Sequence, residues 1–123
     1  MIQYNGLTLA YIGDSYYELL IRKHLLDRNL TKVKDLHQNA IKYTSSVNQA
    51  KAVRSLIENF YNEEEVAIYK RGRNQNASHK PKNADIATYN MSTGFEAVIG
   101  YHYLDKNLKR IEEIMEEVFK TLD

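Results

Sequence analysis

The stretch that decides the fold is LTLAYIGDSYYEL, residues 7–19, because its apolar side chains recur at helical spacing. Gly13 and Asp14 lie in the middle of this run. A glycine inside a helix costs about 1 kcal/mol relative to alanine, and an ionised carboxylate is expensive to bury unless a cation or a hydrogen-bond donor meets it. We therefore predict a central, buried helix from about Leu7 to Arg28, in which Asp14 has a function. A structural Asp14, satisfied by a neighbouring lysine, is the alternative.

A second stretch, STGFEAVIG at residues 92–100, repeats this arrangement with Glu96 inside another apolar helical run. No lysine or arginine lies one turn away from Glu96 to neutralise it. Two buried acids on two separate helices predict one metal-binding carboxylate pair, formed by Asp14 and Glu96. Such a pair suits Mg²⁺, a hard cation that takes one or two carboxylates and keeps several waters. An ion pair with a basic residue distant in the sequence is the alternative for Glu96.

The rest of the chain also has helical periodicity, and no segment shows the sustained alternation of a strand. We predict an all-α bundle of about six helices with short connections and one long one. The second to sixth helices are expected to begin near Thr31, Ser46, Asn62, Asp85 and Asp105.

Several local features of these helices can be predicted as well. Val33 and Ile41 are expected to face inward, and residues 46–49, SVNQ, are typical of a capping box that opens the third helix. The acids at 63–65 fall in the first turn of the fourth helix, where the helix dipole favours negative charge. We interpret them as surface acids.

Composition limits the class of protein. The 123 residues predict a single domain, 1–123, and a hydrophobic content of 43% is enough for a core. The absence of cysteine excludes disulfides and thiolate sites and favours the cytoplasm. No apolar run is long enough to span a bilayer, and the N-terminus does not have the pattern of a signal peptide. The net charge of +1 does not by itself indicate a polyanionic partner.

Charge is nevertheless concentrated locally, since residues 66–84 contain no acid at all. We predict a mobile basic loop over about 72–82, because this part has turn composition and no hydrophobic period. The basic residues expected to contact the phosphates of duplex RNA are Arg71, Arg73, Lys80 and Lys82. Ordinary solvated surface is the alternative for this charge.

Glu18 lies one turn after Asp14 on the same face of the helix. It could hydrogen-bond a metal-bound water or simply pair with a lysine, and the sequence leaves both open. The four histidines are scattered without the spacing of a metal site, so we interpret them as packing or surface residues.

IGDSYYEL at 12–19 resembles the F-L-G-D-[SA]-x-x-E-L signature of ribonuclease III nuclease domains, and FEAVIGYHYL at 95–104 resembles the second motif of that family. The order and spacing of the two motifs agree with the family. Full ribonuclease III enzymes carry further acids where this chain has Leu7, Ala10 and Thr93. These departures, with KRGRN at 70–74 and PKNAD at 81–85, resemble the Mini-ribonuclease III family.

The resemblance implies an all-helical, homodimeric, Mg²⁺-dependent endonuclease of double-stranded RNA that matures the ends of 23S ribosomal RNA precursors. It also implies that Asp14 and Glu96 are the catalytic, metal-binding acids, and that a ribosomal protein or the pre-ribosome is a partner. Two rivals remain. One is a non-catalytic RNA-binding or ribosome-assembly module on the same fold, favoured by the three missing acids. The other is a small-molecule phosphohydrolase, whose typical acid clusters the sequence does not contain.

Overall fold

The computed structural model describes residues 4–75 and 85–123, and it confirms the predicted all-α fold. Six helices follow one another: α1 (Gly6–Asp27), α2 (Val33–Thr44), α3 (Ser46–Asn59), α4 (Glu63–Arg73), α5 (Ile86–Leu104) and α6 (Leu108–Leu122). The described residues contain no strand. None of these helices is both long enough and apolar enough to cross a lipid bilayer.

The helix boundaries follow the local capping chemistry, which the sequence predicted only in part. Asn62 forms a full capping box with Glu65, and the side chain of Asp85 caps α5, both at expected positions. The third helix begins at Ser46 as expected, but its N-cap is Ser45 rather than Ser46, because the Ser45 hydroxyl accepts from the Asn48 amide. The N-caps of α2 and α6 are Lys32 and Asn107 rather than Thr31 and Asp105, so both helices begin slightly later than expected.

Helices α1 and α5 form the centre of the bundle and touch backbone to backbone. A Cβ atom added at Gly13 would overlap the carbonyl oxygen of Glu96, and one added at Gly100 would overlap the carbonyl oxygen of Leu9. The side chains of Tyr17 and Phe95 pack edge to face beside this contact, with ring centroids 5.0 Å apart. The two glycines are therefore required by the close approach of α1 to α5.

The first helix is less buried than the sequence predicted. Its buried residues recur every three or four positions and so form one face of the helix: Gly6, Leu9, Ala10, Gly13, Tyr17, Ile21 and Leu25. The opposite face leaves Tyr11 79% and Leu19 59% exposed. Val33 and Ile41 of α2, which we expected to face inward, are also exposed. Helical periodicity alone overestimated burial, because the chain carries more apolar surface than this bundle covers.

Glu65, which we interpreted as a surface acid, is instead fully buried. Its carboxylate accepts two hydrogen bonds from Arg110 of α6, at 2.6 and 2.7 Å, and one from His102 of α5 at 2.7 Å. Burial alone would raise the pKa of Glu65, but these bonds and one from the Asn62 backbone lower that pKa to about 2. This charge network joins α4, α5 and α6.

Replacing Gly13 with alanine should destabilise the protein by about 1–3 kcal/mol, the usual cost of overpacking, despite the better helix propensity of alanine. The new methyl group would meet the backbone of α5, which cannot rotate away as a side chain can. Urea unfolding followed by circular dichroism measures the change. Ser15→Ala, at an exposed position of the same helix, is the control and should be neutral or stabilising. Equal stabilities of the two variants would contradict the close α1–α5 contact.

Candidate active site

Asp14 and Glu96 lie on the two helices whose backbones touch. Gly13 of α1 packs against the backbone of Glu96 in α5, so Asp14, the next residue along α1, lies beside the same turn of α5. The two carboxyl groups are close enough to share a hydrogen bond when one of them is protonated. The structure thus brings together the two acids that the sequence placed on separate helices.

The prediction that both acids are buried was wrong for Asp14, which is exposed, while Glu96 is partly buried. Successive residues of a helix are about 100° apart. Because Gly13 faces α5 directly, the side chain of Asp14 lies at the edge of the helix contact rather than within it. The carboxylate pair is therefore accessible from the protein surface, where a large substrate can reach it.

The electrostatics of the pair are unfavourable without a cation. The pKa of Glu96 is raised well above its ordinary value, first by loss of solvent, then by the negative charge of Asp14 and by the hydrogen bond that the two share. The side-chain amide of Gln49 acts to lower the pKa of Glu96 but does not outweigh these effects. A divalent cation between the two carboxylates would remove the repulsion.

The donor atoms of the site fit a hard divalent cation. Both acids offer carboxylate oxygens, and in the part of the chain that the structure describes no group of three or more acid, histidine or cysteine side chains could hold an ion. An ion at the pair would therefore have two protein carboxylates and would complete its coordination with water and substrate oxygens. Mg²⁺ is commonly bound in this way.

Gln49 is a residue of the site that we expected only to take part in helix capping. Its side chain is 2% exposed, and its Nε2 donates to the backbone carbonyl of Thr44 at 3.3 Å. Its Oε1 is buried without a partner among the described residues. An unsatisfied buried acceptor costs about 1–3 kcal/mol. The available sequence signal was that position 49 shares a helix face with the buried Val53 and Leu56, where an apolar residue is the usual choice.

Glu18 occupies a different environment from the acid pair. It is exposed, and its carboxylate pairs with Arg22 one turn later, with 3.3 Å between the charged atoms. The partner is an arginine rather than the lysine that one alternative named, and a hydrogen bond from Glu18 to a metal-bound water stays a prediction.

The basic residues are divided between helix and loop. The prediction of a loop from 72 onward was wrong at its start, because α4 continues to Arg73 and Gly72 packs against Gly94 and Ala97 of α5. Arg71 donates a hydrogen bond to the backbone carbonyl of Tyr4. The Arg73 guanidinium lies 5.6 Å from the centre of the Tyr69 ring.

Lys80 and Lys82 lie outside the described residues. The basic end of α4 packs on the turn of α5 that carries Glu96, since a Cβ atom added at Gly72 would meet the side chain of Ala97.

An all-helical bundle with a carboxylate pair where two helices meet is the arrangement of a metal-dependent ribonuclease III-type nuclease domain. The Ribonuclease III domain model matches residues 7–107, and the chain belongs to that family. It is accordingly an endoribonuclease, a metal-dependent hydrolase of RNA.

Within the family, the chain is similar to proteins named Mini-ribonuclease 3. It is 48% identical to the protein from Streptococcus pneumoniae, over 90% of this chain and 88% of that protein. It is 45% identical to the protein from Clostridium tetani, over 98% of this chain and 80% of that protein. A crystal structure of a Fusobacterium nucleatum protein superposes with a TM-score of 0.86 at 31% identity, covering 98% of this chain and 97% of that one.

Replacing Asp14 with asparagine should lower the pKa of Glu96 toward its ordinary value of 4.5, because the neighbouring negative charge is removed. A raised carboxyl pKa means that the folded state binds the proton more tightly than the unfolded state. The contribution of Glu96 to stability is therefore complete below about pH 4.5 and is lost as the pH rises through the raised pKa. Without metal, Asp14→Asn should melt at a higher temperature than the parent at pH 7.5, with no difference near pH 4.

Carbon-detected NMR of the glutamate carboxyl groups, together with melting curves at both pH values, checks this prediction. Glu18→Gln is the matched control, because it also removes one negative charge from α1 but from an exposed ion pair. A stability gain in the control as large as that in Asp14→Asn would assign the effect to the general charge of α1.

Proposed function

We propose that this chain is a Mg²⁺-dependent endonuclease of double-stranded RNA that matures the ends of the 23S ribosomal RNA precursor in the cytoplasm. The observation that carries the proposal is the side-by-side placement of the Asp14 and Glu96 carboxyl groups at the surface where α1 meets α5. We also propose that the enzyme cleaves this RNA within the precursor of the large ribosomal subunit. A ribosomal protein is the proposed partner that assists the cleavage.

Asp14 and Glu96 are the residues that would hold Mg²⁺. When bound, the ion would lower the pKa of an attacking water and stabilise the negative charge that develops on the phosphodiester. The chain's own contribution is positional. Asp14 is exposed and would face the RNA backbone, whereas Glu96 is anchored in a buried helix and would fix the position of the pair.

The basic end of α4 supports an RNA duplex as the substrate. It packs through Gly72 on the turn of α5 that carries Glu96, so positive charge and the acid pair lie on neighbouring parts of the molecule. Lysine and arginine contacts to phosphates supply most of the sequence-independent affinity for nucleic acids. Arg71, Arg73, Lys80 and Lys82 are the proposed contacts, with Arg71 also holding the backbone that precedes α1.

We further propose that two copies of the chain associate through the exposed face of α1. Tyr11, Leu19 and Leu26 are 79%, 59% and 52% exposed, and their spacing of eight and seven residues keeps them on one side of the helix. A contiguous exposed apolar patch is typical of an interaction surface. Proteins of the ribonuclease III family typically dimerise, so we propose that a second copy of the chain covers this face of α1. Two symmetric acid pairs could then act on the two strands of one duplex.

Asp14→Asn and Glu96→Gln should each reduce cleavage of a long RNA duplex at least about a hundredfold, which corresponds to about 3 kcal/mol of barrier. Each change removes one of only two carboxylates that would hold the ion. The assay compares cleavage in Mg²⁺ and in EDTA, using the paired ends of a 23S precursor and an unrelated duplex of equal length. Glu18→Gln should cut normally. Near-normal turnover of either site variant would mean that the site is elsewhere, and a parent that binds RNA without cutting it would indicate a binding module.

Neutralising Arg73, Lys80 and Lys82 to glutamine should weaken duplex binding and reduce the log–log salt slope by roughly one unit for each phosphate that is no longer bound. Binding to one duplex is measured across a salt series, in Ca²⁺ or without metal so that the substrate stays intact. The control removes three positive charges from other surfaces through Lys51→Gln, Lys109→Gln and Lys120→Gln. If both triple variants bind the duplex with the same affinity and the same salt slope, the binding depends on the total charge of the protein and not on the basic segment.

Light scattering at micromolar concentration should report a particle of twice the chain mass of 14.4 kDa. Replacing Tyr11 and Leu19 with glutamate should convert it to a monomer, because four charges would enter the proposed symmetric interface. Leu108→Glu, which adds a charge at an exposed apolar position of α6, should leave the particle mass unchanged. A parent of 14.4 kDa would overturn the proposed dimer.

A further inference from the structure

An open apolar groove with a volume of about 350 Å³ lies between α1 and α6. Leu20 of α1 and the buried Met115 of α6 line it, and Leu108 contributes to the lining although it is 47% exposed. The lining residues of α6 run from Leu108 to Phe119, which corresponds to about 17 Å or three helical turns. A groove of this length matches the apolar face of one short helix.

The aromatic walls of this groove are held in place by residues outside it. Tyr16 packs against Tyr103 of α5, with ring centroids 4.6 Å apart. Phe119 stacks on His24 of α1, with centroids 3.7 Å apart and the ring planes 11° from parallel. The groove is therefore formed before anything binds, and a bound helix would not have to order these rings.

The charge at the groove is negative. Glu112 and Glu116 are exposed and line it, and the described lining residues contain no lysine or arginine. Among the described residues these two acids form no ion pair, whereas the other two acids of α6 pair with Arg110 and Lys120. The two carboxylates are one turn apart on the same helix face. They favour a cationic partner and disfavour RNA, whose phosphates they would repel.

The groove lies away from the other surfaces of α1 that we propose to be functional. Successive residues of a helix are about 100° apart, so Tyr16 lies about 160° around α1 from Asp14. By the same measure Leu20 lies about 180° from Tyr11, on the side of α1 opposite to the proposed dimer contact. A partner in the groove would therefore leave the acid pair open to RNA.

We propose that the groove between α1 and α6 binds a basic amphipathic helix of a protein partner. Its apolar side chains fill the groove, and two lysine or arginine side chains four residues apart pair with Glu112 and Glu116. Proteins that bind ribosomal RNA carry such cations because they contact its phosphates. The groove thus gives a binding surface to the protein partner proposed above, and to that extent the inference rests on the proposed function.

The test uses a synthetic helical peptide of three turns, with leucines on one face and lysines four residues apart along its edge. One control peptide has serine in place of leucine, and the other has glutamate in place of lysine. Binding to the purified protein is measured by fluorescence anisotropy. Only the first peptide should bind. Equal binding of either control peptide, or no binding of the first, would overturn the inference.

Replacing Glu112 and Glu116 together with glutamine should weaken peptide binding about 2- to 30-fold, the range expected for the loss of two exposed ion pairs. The matched control replaces Glu58 and Glu64 with glutamine, because this removes the same charge from exposed positions of α3 and α4. The control should bind the peptide like the parent. An equal loss in both variants would mean that the peptide is attracted by total charge, which contradicts a site at the groove.

NMR of methyl-labelled methionine locates the bound peptide. The Met115 methyl signal should shift on peptide binding, whereas that of Met91, which lies beside Tyr69 and Arg73, should stay. The reverse pattern would place the peptide elsewhere and refute the groove. Light scattering of Glu112→Lys with Glu116→Lys should report the same particle mass as the parent. A lower mass would assign the groove to a second copy of the chain and overturn the inference.

Failure of the groove and failure of the proposed function can be told apart. A parent that cleaves duplex RNA but binds no peptide would refute the groove alone. A parent that binds the peptide with a shift of Met115, but cleaves no RNA, would refute the proposed activity and support the groove.

Discussion

The contact between the backbones of α1 and α5 is the constraint on which the rest of the structure depends. Gly13 and Gly100 let the two helices approach until the carbonyl groups of Glu96 and Leu9 occupy the space of the missing side chains. One helical turn is about 5.4 Å long, so a slip of one turn would separate Asp14 from Glu96. The register that the glycines impose is therefore also the register of the candidate site.

Two acids of this fold illustrate opposite solutions to the burial of charge. Glu65 is fully buried, and the hydrogen bonds from Arg110 and His102 lower its pKa to about 2. Glu96 is partly buried and faces another acid, so its pKa is raised. Glu65 is thus neutralised within the protein and joins helices, while Glu96 is left to be neutralised by something that binds. This difference separates a structural acid from the acid that we propose to bind the ion.

Features of the fold and of the candidate site could be predicted from the sequence when they depend on residues close together in the chain. Helices and some of their caps follow from residues within one turn, so Asn62 and Asp85 were identified correctly. Asp14 and Glu96 could be paired because each interrupts an apolar run. The exposure of Tyr11 could not be predicted, because it depends on which helix faces α1 rather than on periodicity.

The burial of Glu65 could not be predicted for the same reason. Its partners are His102 and Arg110, 37 and 45 residues away on two other helices. No pattern within α4 reveals such neighbours.

The network of Glu65, His102 and Arg110 has a consequence for how this protein can change over time. Removing either partner of a buried ion pair such as Glu65–Arg110 leaves the other charge uncompensated and costs about 3–5 kcal/mol, whereas replacing the whole network by well-packed apolar residues is often neutral or stabilising. The three residues come from α4, α5 and α6 and are spread over the chain from position 65 to position 110. Single substitutions here would therefore meet a barrier that a joint replacement would not, and the network would persist through evolution even if a simpler core were equally stable.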